Sequence, residues 1–319
     1  MQLNRTDLAD FLYFLAIARH RSFRRAALEM GVTTSALSHA MTALEARRGV
    51  RLLNRTTRSV TLTAAGEELR ASIERPLEAV GEAAENLNRF RDTPAGRVRI
   101  NVLGDAVPLL LDPVMPVFVA RYPEVEVDIS VSNRLIDVIA GGFDAGIRYG
   151  GTVPEDMIAQ RLSPNIRWVA AASPDYLARF GTPATPQDLH AHRCIGIRLG
   201  NDQLYHWEFE RGEEAVTIAA PGPLTVDESP AAIGFGVSGI GIIYGAEPVL
   251  ARYLDSGALR IVLGDWAPIG GGFHVYYPGR RQVPTALRLL VDLIREMRPL
   301  GRDIRKEEAR VSAAAPASR

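Results

Sequence analysis

The stretch that decides the fold of the first part of the chain is SFRRAALEMGVTTSALSHAMTALEARRGVRLLNRTTRSVTLTAAG, residues 22–66. Apolar residues recur at helical spacing on both sides of Gly31, a residue that readily takes the positive φ needed where a helix ends. Ser22 and Thr33 stand where a side-chain oxygen can accept a free amide in the first turn of each helix. The stretch therefore predicts two short helices joined by a tight turn.

The second of these helices has one apolar face and one hydrogen-bonding face. Leu37, Met41 and Leu44 form the stripe that is expected to be buried. A helix that enters the major groove of DNA needs a small or polar outer face, because a bulky apolar face could not approach the base edges. We therefore predict DNA contacts at the start and on the outer face of this helix, by Thr33, Thr34, Ser35, Ser38, His39 and Thr42.

Two short apolar runs come next, at residues 50–53 and 59–62, and indicate a β-hairpin. The polar segment between them contains Arg55 and Arg58, which suit it to grip phosphates or to enter a minor groove. Both arginines are therefore predicted DNA contacts. Helices followed by such a hairpin predict a winged helix-turn-helix domain over residues 1–63.

Charge is distributed unevenly along the chain. Its 37 basic and 37 acidic residues give a formal net charge of zero, which by itself disfavours a nucleic-acid-binding protein. Residues 1–65, however, contain ten arginines and four acidic residues, so the remainder of the chain has an excess of six acidic residues. A basic part joined to an acidic part is expected when only one end of a protein contacts DNA.

This first segment resembles the N-terminal domain of the LysR-type transcriptional regulators. The resemblance rests on FLAIARHRSF (14–23), RAALEMGVTTSALSHAMTALE (25–45) and GVRLLNRTTRSVTLTAAG (49–66). Two later stretches, GFDAGIRYG (142–150) and YYPGRRQVP (276–284), are similar to the subgroup that includes CrgA- and DmlR-like regulators. The resemblance extends over nearly the whole chain, from about residue 8 to about residue 298.

A long helix is predicted after the hairpin, over residues 64–91, with Thr63 as its cap. Pro76 inside it is expected to cost a hydrogen bond or to kink the helix. A surface helix packed on its own domain is the alternative, which the helix length disfavours. The resemblance implies the linker helix of the family, within residues 64–95, which pairs two subunits of a homodimer antiparallel and leads to a homotetramer. The apolar stripe of this helix comprises Leu69, Ile73, Leu77, Val80, Ala84 and Leu87.

Beyond a linker at residues 92–96, strand-like runs alternate with helical ones, which predicts parallel sheets and an α/β class. Strands are expected at residues 98–102, 125–131, 143–148 and 166–172, and helices at 107–122, 135–140 and from 175. The resemblance implies a two-lobed, periplasmic-binding-protein-like effector domain over residues 96–302. The chain is then expected to cross twice between a first lobe, about 97–162 and 272–298, and a second lobe, about 163–269.

In such α/β folds ligands bind beyond the carboxyl ends of strands, so the residues after the predicted strands are the candidate effector contacts. Arg148 and Arg198 can each hold a carboxylate through paired donors, and the alternative for each is a structural ion pair. The alternative for Trp207 is a position in the core. Gly104 and Asp105 follow the first predicted strand, where free backbone amides can hold an anion. Many family members carry Ser or Thr in this loop, and this chain has Asp105 nearby. The candidates are Gly104, Asp105, Ser132, Asn133, Arg148, Tyr149, Arg198, Trp207, Asp227, Glu228 and Ser229.

Motifs of enzymes and metal sites are not supported. The residues 234–239 fit G-x-G-x-x-G, but a helix is predicted before them and a strand after them, the reverse of what dinucleotide binding needs. The six histidines show no zinc-binding spacing. The single cysteine, Cys194, lies in a strand-like context that predicts a buried, inert thiol, with a redox sensor as the alternative. No enzyme, cofactor or metal site is therefore expected.

Together these features predict a cytoplasmic transcriptional regulator that binds double-stranded promoter DNA and responds to a small organic or aromatic acid. Further copies of the chain and RNA polymerase are the other expected partners, and no apolar run approaches the ~18 residues of a membrane span. Two alternatives stay open: a small-molecule-binding protein of periplasmic type that does not act on DNA, and an enzyme on an α/β scaffold. Residues 303–319 are expected to form a disordered tail.

Overall fold

The computed structural model describes residues 5–55, 60–85, 93–134, 137–138, 141–151, 157–200, 202–279 and 283–301. The chain divides into two compact units, Met1–Asp92 and Thr93–Arg319. The first unit is helical with a small hairpin and the second is α/β, which confirms the predicted fold class. The predicted tail at residues 303–319 lies outside the described part of the chain.

The first unit forms the predicted helix-turn-helix. Ser22 caps the second helix by accepting the amide of Arg25 at 3.4 Å, and Thr33 caps the third by accepting the amide of Ala36 at 3.2 Å. Gly31 between these two helices has a φ of 64°. The elements of this unit are α1 (Arg5–His20), α2 (Phe23–Glu29), α3 (Thr34–Arg48), β1 (Leu53–Arg55), β2 (Val60–Leu62) and α4 (Ala64–Glu85).

The long helix α4 packs on its own unit over its first half. Leu69, Ile73 and Leu77 are partly buried against the core that the stripe of α3 forms with α1. Val80, one turn further on, is 65% exposed. The helix continues through Pro76 without a break. Beyond Leu77, α4 therefore presents at least one apolar side chain that its own unit does not cover.

The first strand of the hairpin differs from the prediction. Residues 50–53 were expected to be extended, but β1 begins only at Leu53. The reason is the carboxylate of Glu45, whose Oε1 accepts the amides of Leu52 at 2.8 Å and Leu53 at 3.0 Å and holds the chain against α3 up to that point. Arg55 consequently lies within β1 and not in the loop that follows it.

The second unit contains strands and helices on both sides of two crossing segments. Its first elements are β3 (Ala95–Val102), a π-helical turn (Val107–Leu111), α5 (Asp112–Arg121), β4 (Glu124–Val131), β5 (Ala145–Tyr149), β6 (Met157–Arg161), β7 (Ile166–Ala172) and α6 (Pro174–Phe180). They are followed by β8 (Ile195–Ile197), β9 (Trp207–Arg211), β10 (Glu214–Ile218), β11 (Leu224–Val226), α7 (Ser229–Val237), β12 (Ile243–Ala246), α8 (Glu247–Asp255), β13 (Arg260–Val262), β14 (Ile269–Gly270), β15 (Phe273–Pro278) and α9 (Thr285–Met297).

A five-stranded sheet in the order β4-β3-β5-β15-β6 carries the largest core of this unit. β3 pairs in parallel with β4 and β5, as the strand–helix alternation predicts. β15 is antiparallel to both of its neighbours, β5 and β6. The difference arises because β6 leads the chain out of this sheet and β15 brings it back, so the two must run in opposite directions.

The second sheet is antiparallel around β7, which corrects the prediction of parallel sheets for that part of it. β7 lies between β12 and β13, also pairs with β14, and runs opposite to all three. β12 and β13 are joined through α8 and run in the same direction, as in a strand–helix–strand unit. The two strands are not neighbours, however, because β7 lies between them and runs in the opposite direction. β8 and β11 pair in parallel, as predicted, and a parallel bridge between Cys194 and Ile242 connects this pair to the second sheet next to β12.

The two crossing segments, one between β6 and β7 and the other between β14 and β15, lie side by side. The amide of Leu162 donates to the carbonyl of Phe273 at 2.8 Å, and the amide of Phe273 donates to Oγ of Ser163 at 2.8 Å. Gly272, just before β15, is also hydrogen-bonded to the first sheet: its carbonyl accepts the amide of Gly150, which follows β5, at 2.8 Å. The chain thus leaves the first sheet and returns to it at one place.

Some predicted elements change their bounds. The third predicted strand ends at Tyr149, which is therefore part of β5 and does not follow it, and β6 was not predicted at all. The predicted helix at residues 135–140 lies mostly outside the described residues. None of the helices in the described part of the chain combines the length and apolar character that a membrane span needs.

Candidate DNA-binding surface and effector cavity

The residues predicted to contact DNA lie at the start and on the outer face of α3. Thr34, Ser35, His39 and Thr42 are exposed and Ser38 is half-buried. Oγ1 of Thr33, which caps the helix, lies 3.0 Å from Oγ of Ser35. Arg58, the other predicted contact of the hairpin, lies outside the described residues.

Arg55 is folded against this face of α3. Its Nη1 donates to Oγ of Ser38 at 3.3 Å and to Oγ1 of Thr42 at 3.5 Å, and its Nη2 lies 3.0 Å from Oε2 of Glu45. The guanidinium carbon also stands 5.0 Å from the ring centroid of Phe23. The structure therefore brings the arginine of the hairpin and the polar residues of the helix into one surface.

Not every arginine of the first unit contributes to such a surface. Asp7 and Asp10 on α1 are buried, with 3% exposure each. Arg47 forms ion pairs with both of them, and Nη2 of Arg48 lies 2.9 Å from Asp7 Oδ2. These pairs join α1 to the end of α3, so part of the positive charge counted in the sequence is used to stabilise the domain.

Glu45 links the start of the hairpin to Arg55, so Glu45→Gln is expected to release the arginine from α3. The amide of glutamine can keep one carbonyl oxygen for the backbone, but its NH2 group cannot accept a hydrogen bond from the guanidinium. We expect a loss of about 1 kcal/mol in the free energy of unfolding and weaker DNA binding. Urea denaturation and a gel mobility shift would measure the two effects.

Glu67→Gln is the matched control for this substitution. Glu67 forms an exposed pair with Arg70 on α4, 3.0 Å apart, and such pairs contribute little. An equal effect of the two substitutions would show that Glu45 has no special role in positioning Arg55.

A cavity of about 490 Å³ lies in the second unit, between the ends of strands of the first sheet and the elements of the second sheet. Six of the eleven predicted effector residues line it: Asp105, Asn133, Tyr149, Arg198, Asp227 and Ser229. The other five, Gly104, Ser132, Arg148, Trp207 and Glu228, do not.

Asp105 is the most buried acidic residue of the lining, with 8% exposure. Its Oδ2 accepts the hydroxyl of Tyr149 at 3.0 Å, and the side chain of Ser229 on α7 lies close enough to act on its pKa. Burial raises the pKa of Asp105, and the side chains of Ser229 and Tyr149 oppose that rise. Burial next to this carboxylate raises the pKa of Tyr149 well above its ordinary value. The approach of Ser229 to Asp105 is a first contact between the two parts of the unit across the cavity.

Asn133 makes a second connection across the cavity. Its Oδ1 accepts the amide of Gly104 at 3.0 Å, and its Nδ2 donates to the carbonyl of Asp227 at 2.6 Å. A backbone bridge between Arg134 and Gly200 adds a third. The amide of Gly104 is therefore bonded to Asn133, which corrects the expectation that it would hold an anionic ligand.

Arg148 is buried, with 3% exposure, and its position corrects its predicted role as a carboxylate clamp. Its guanidinium donates to the carbonyls of Ile147 at 2.8 Å, Ser132 at 3.0 Å and Arg134 at 3.0 Å, and to both oxygens of Asn101. Burial lowers its pKa. Arg148 therefore holds the loop after β4 through hydrogen bonds to its carbonyl groups and does not line the cavity.

Trp207 is a core residue, which is the alternative that the sequence left open for it. It is fully buried, and its ring stacks on Tyr244 with centroids 5.4 Å apart in a core behind the cavity. Ser132 and Glu228 flank lining residues, but their own side chains are not part of the wall. Arg198 does line it, while its Nη1 donates to the carbonyl of Asp202 at 2.9 Å.

Sequence reasoning missed the aromatic wall of the cavity. Trp168 packs edge-on against Tyr149 with centroids 5.0 Å apart, and faces Tyr244 at 6.0 Å and Tyr205 at 6.4 Å. All four rings line the cavity. The available signal is the place of Trp168 in β7, close to the first crossing segment, because side chains beside a crossing can reach a cleft between two sheets.

Cys194 is buried, with 1% exposure, and burial raises the pKa of its thiol to about 12. The thiolate is the reactive form, so at neutral pH we expect this cysteine to react with a disulfide reagent roughly 100-fold more slowly in the native protein than in urea. The release of the coloured thiol from Ellman's reagent would measure both rates. A native rate close to that of the unfolded chain would favour the redox alternative.

Among the described residues, no group of three or more His, Cys, Asp or Glu side chains is arranged to hold a metal ion. A winged helix-turn-helix unit combined with an α/β unit that encloses a cavity is the architecture of a ligand-responsive DNA-binding protein. Residues 8–67 match the family described as bacterial regulatory helix-turn-helix protein, lysR family, and residues 91–299 match the LysR substrate binding domain. The chain therefore belongs to the LysR-type transcriptional regulators.

Similar proteins of known sequence or structure are regulators of the same kind. A putative transcriptional regulator of Pseudomonas aeruginosa is 39% identical over 299 residues, 93% of this chain and 98% of that protein. The uncharacterized HTH-type transcriptional regulator YcaN of Escherichia coli is 36% identical over 91% of this chain and 95% of its own. The structure of CrgA, a LysR-type transcriptional regulator from Neisseria meningitidis, has a TM-score of 0.59 and 25% identity over 94% of this chain and 100% of that one.

Membership in this family settles the class of function. The chain is a DNA-binding transcriptional regulator with an effector-binding domain, in a family of regulators and not of enzymes. LysR-type regulators bind DNA and small-molecule effectors, and they form oligomers.

Proposed function

We propose that this regulator binds promoter DNA with α3 and the hairpin, and that an effector in the cavity controls this binding. The observation that carries the proposal is the cavity itself, which lies between two parts joined by adjacent crossing segments. The Asn133–Asp227 hydrogen bond and the approach of Ser229 to Asp105 close it. A ligand that binds the closed arrangement better shifts the population toward it. The coupling to DNA is then the difference in DNA affinity between the two states.

The proposed DNA contacts come from one basic, polar surface. Arg55 supports this proposal, because its guanidinium lies beside Ser38 and Thr42 on the outer face of α3. Helices of this kind read base edges in the major groove, while arginines of a hairpin hold phosphates or enter the minor groove. The full set of proposed contacts is Thr33, Thr34, Ser35, Ser38, His39, Thr42, Arg55 and Arg58.

The effector is proposed to be a small organic or aromatic acid. Arg198 is the basic side chain on the described lining, and the rings of Trp168 and Tyr205 suit a flat or apolar group. The cavity of about 490 Å³ lies within the size range of small-molecule sites. The lobes that enclose it are proposed to comprise residues 97–162 with 272–298, and residues 163–269, within an effector domain of residues 96–302.

Dimerisation through the linker helix, within residues 64–95, belongs to the same proposal. The exposed Val80, beyond the part of α4 that packs on its own domain of residues 1–63, supports it. Two subunits paired in this way place two helix-turn-helix domains on two half-sites, and two such dimers form a homotetramer. Action in the cytoplasm and contact with RNA polymerase at the promoter complete the proposed scheme.

A footprint of the full-length protein on the intergenic region upstream of its own gene tests the proposal. We expect a protected inverted repeat whose affinity falls steeply as the salt concentration rises, because each phosphate contact releases counterions. If a folded, oligomeric preparation protects neither this region nor any genomic fragment at low salt, the protein does not act as proposed. The small-molecule-binding protein without a DNA target would then be the better description.

A further inference from the structure

The described lining of the cavity carries more negative than positive charge. Four acidic residues, Asp105, Glu208, Glu210 and Asp227, belong to this lining, and Arg198 is its basic residue. Asp105 is buried, whereas the other three acids and Arg198 are exposed, so solvent screens their charges. The carboxylate of Asp105 is therefore the charge of the lining that most favours a cationic group.

The aromatic wall favours the same sign of charge. Trp168, Tyr205 and Tyr244 stand around one another with centroids 6.0 to 6.4 Å apart, and all three line the cavity. The face of an aromatic ring carries partial negative charge, so a positively charged nitrogen above it is attracted, most strongly by tryptophan. These rings pack on one another, and Tyr244 stacks on both Trp168 and Trp207, so Trp168 and Tyr205 are the rings that can hold an ammonium group at the cavity wall.

Tyr149 places the aromatic wall next to the buried carboxylate. Its ring lies 5.0 Å from that of Trp168, and its hydroxyl donates to Oδ2 of Asp105 at 3.0 Å. A carboxylate has about four acceptor positions, and the hydrogen bond from Tyr149 uses one of them. Asp105 thus retains acceptor capacity beside the rings, where a bound N–H group can reach it.

From these observations we propose that the effector carries a positively charged nitrogen, held against the rings of Trp168 and Tyr205 and beside the carboxylate of Asp105. Arg198 of the same lining can pair with a carboxylate on the ligand, so an amino-acid-like compound uses both charged side chains. This inference rests on the proposed function, in which the cavity is the effector site, and it narrows the class of acid to one that also bears an ammonium group.

Three probes with one skeleton and different charges test the inference by titration calorimetry on the full-length protein. Phenethylamine is a cation, phenylalanine is a zwitterion and 3-phenylpropanoate is an anion. We expect both ammonium compounds to bind at least about tenfold more tightly than 3-phenylpropanoate, as expected for a cation desolvated against aromatic rings. Equal or tighter binding of 3-phenylpropanoate overturns the inference, as does the absence of binding by both ammonium compounds at millimolar concentration.

Two variants locate the binding of the ammonium group. Asp105→Asn removes the charge and Trp168→Leu removes the best ring, and each should weaken phenethylamine binding by about tenfold while changing 3-phenylpropanoate binding much less. Glu213→Gln, in the exposed turn between β9 and β10, removes one carboxylate away from the lining and should have no effect. Circular dichroism checks folding, and Trp168→Leu carries the test if Asp105→Asn does not fold. Unchanged phenethylamine binding in the folded variants overturns the inference.

The footprint on the same preparation separates this inference from the proposed function. Protection of DNA without selective binding of the ammonium compounds means that only the ligand class is wrong. Loss of DNA protection with selective binding retained means that the cavity chemistry is right and the regulatory proposal is wrong.

Discussion

Arg55→Ala is expected to lower the affinity for the operator by about 10- to 100-fold and to reduce the slope of log affinity against log salt by about one. The guanidinium lies beside Ser38 and Thr42, so its loss removes one positive charge and several donors from the proposed DNA-binding surface. Quantitative footprinting or fluorescence anisotropy over a range of salt concentrations gives both the affinity and the slope.

Arg179→Ala is the matched control for this experiment, because Arg179 is exposed on α6 in the second unit. It changes the net charge of the chain by the same amount without touching the first unit. If both variants lose the same affinity, the effect of Arg55 is one of overall charge and its assignment to the DNA-binding surface is wrong.

Gly272→Ala is expected to destabilise the second unit by about 3 kcal/mol or more, because the site has no room for a side chain. A Cβ at Gly272 would overlap the carbonyl oxygen of Pro164 and the hydroxyl of Ser163, which belong to the other crossing segment. Neither group can move aside easily, because Ser163 also accepts the amide of Phe273 at 2.8 Å. Urea denaturation followed by tryptophan fluorescence measures the change.

Gly234→Ala provides the comparison within the same unit. Gly234 lies inside α7, and no neighbouring atom stands within 4 Å of the position where a Cβ would be. Alanine has the higher helix propensity, so this change should be neutral or should stabilise the protein by up to about 1 kcal/mol. A similar loss at both glycines would mean that crowding at the crossing segments is not the cause.

The helix-turn-helix could be predicted well from the sequence because its determinants are local. Ser22 and Thr33 cap the helices they precede, and Leu37 belongs to a stripe of α3 that is fully buried. Each of these signals depends only on residues within a few positions in the chain. The start of the hairpin was less predictable. The carboxylate of Glu45 accepts the amides of Leu52 and Leu53, seven and eight residues further along the chain, and β1 begins only there.

The cavity was predictable only in part, for a different reason. The rule that ligands bind at the ends of strands led to Asp105 and Asn133, which do line the cavity. The same rule cannot tell whether a side chain points into the cleft or beneath it, and Arg148 points beneath it, into a set of carbonyl groups. Trp168 was missed because its exposure depends on how two distant sheets face each other.

The adjacent crossing segments also bear on how sensing specificity can evolve. Everything between Leu162 and Phe273 leaves and re-enters the first sheet at one place, where the backbones of these two residues are hydrogen-bonded at 2.8 Å. An inserted segment whose ends lie so close can be exchanged with only two cut points. Recombination between related genes could therefore replace one half of the sensor in a single event, while the DNA-reading part of the chain is inherited unchanged.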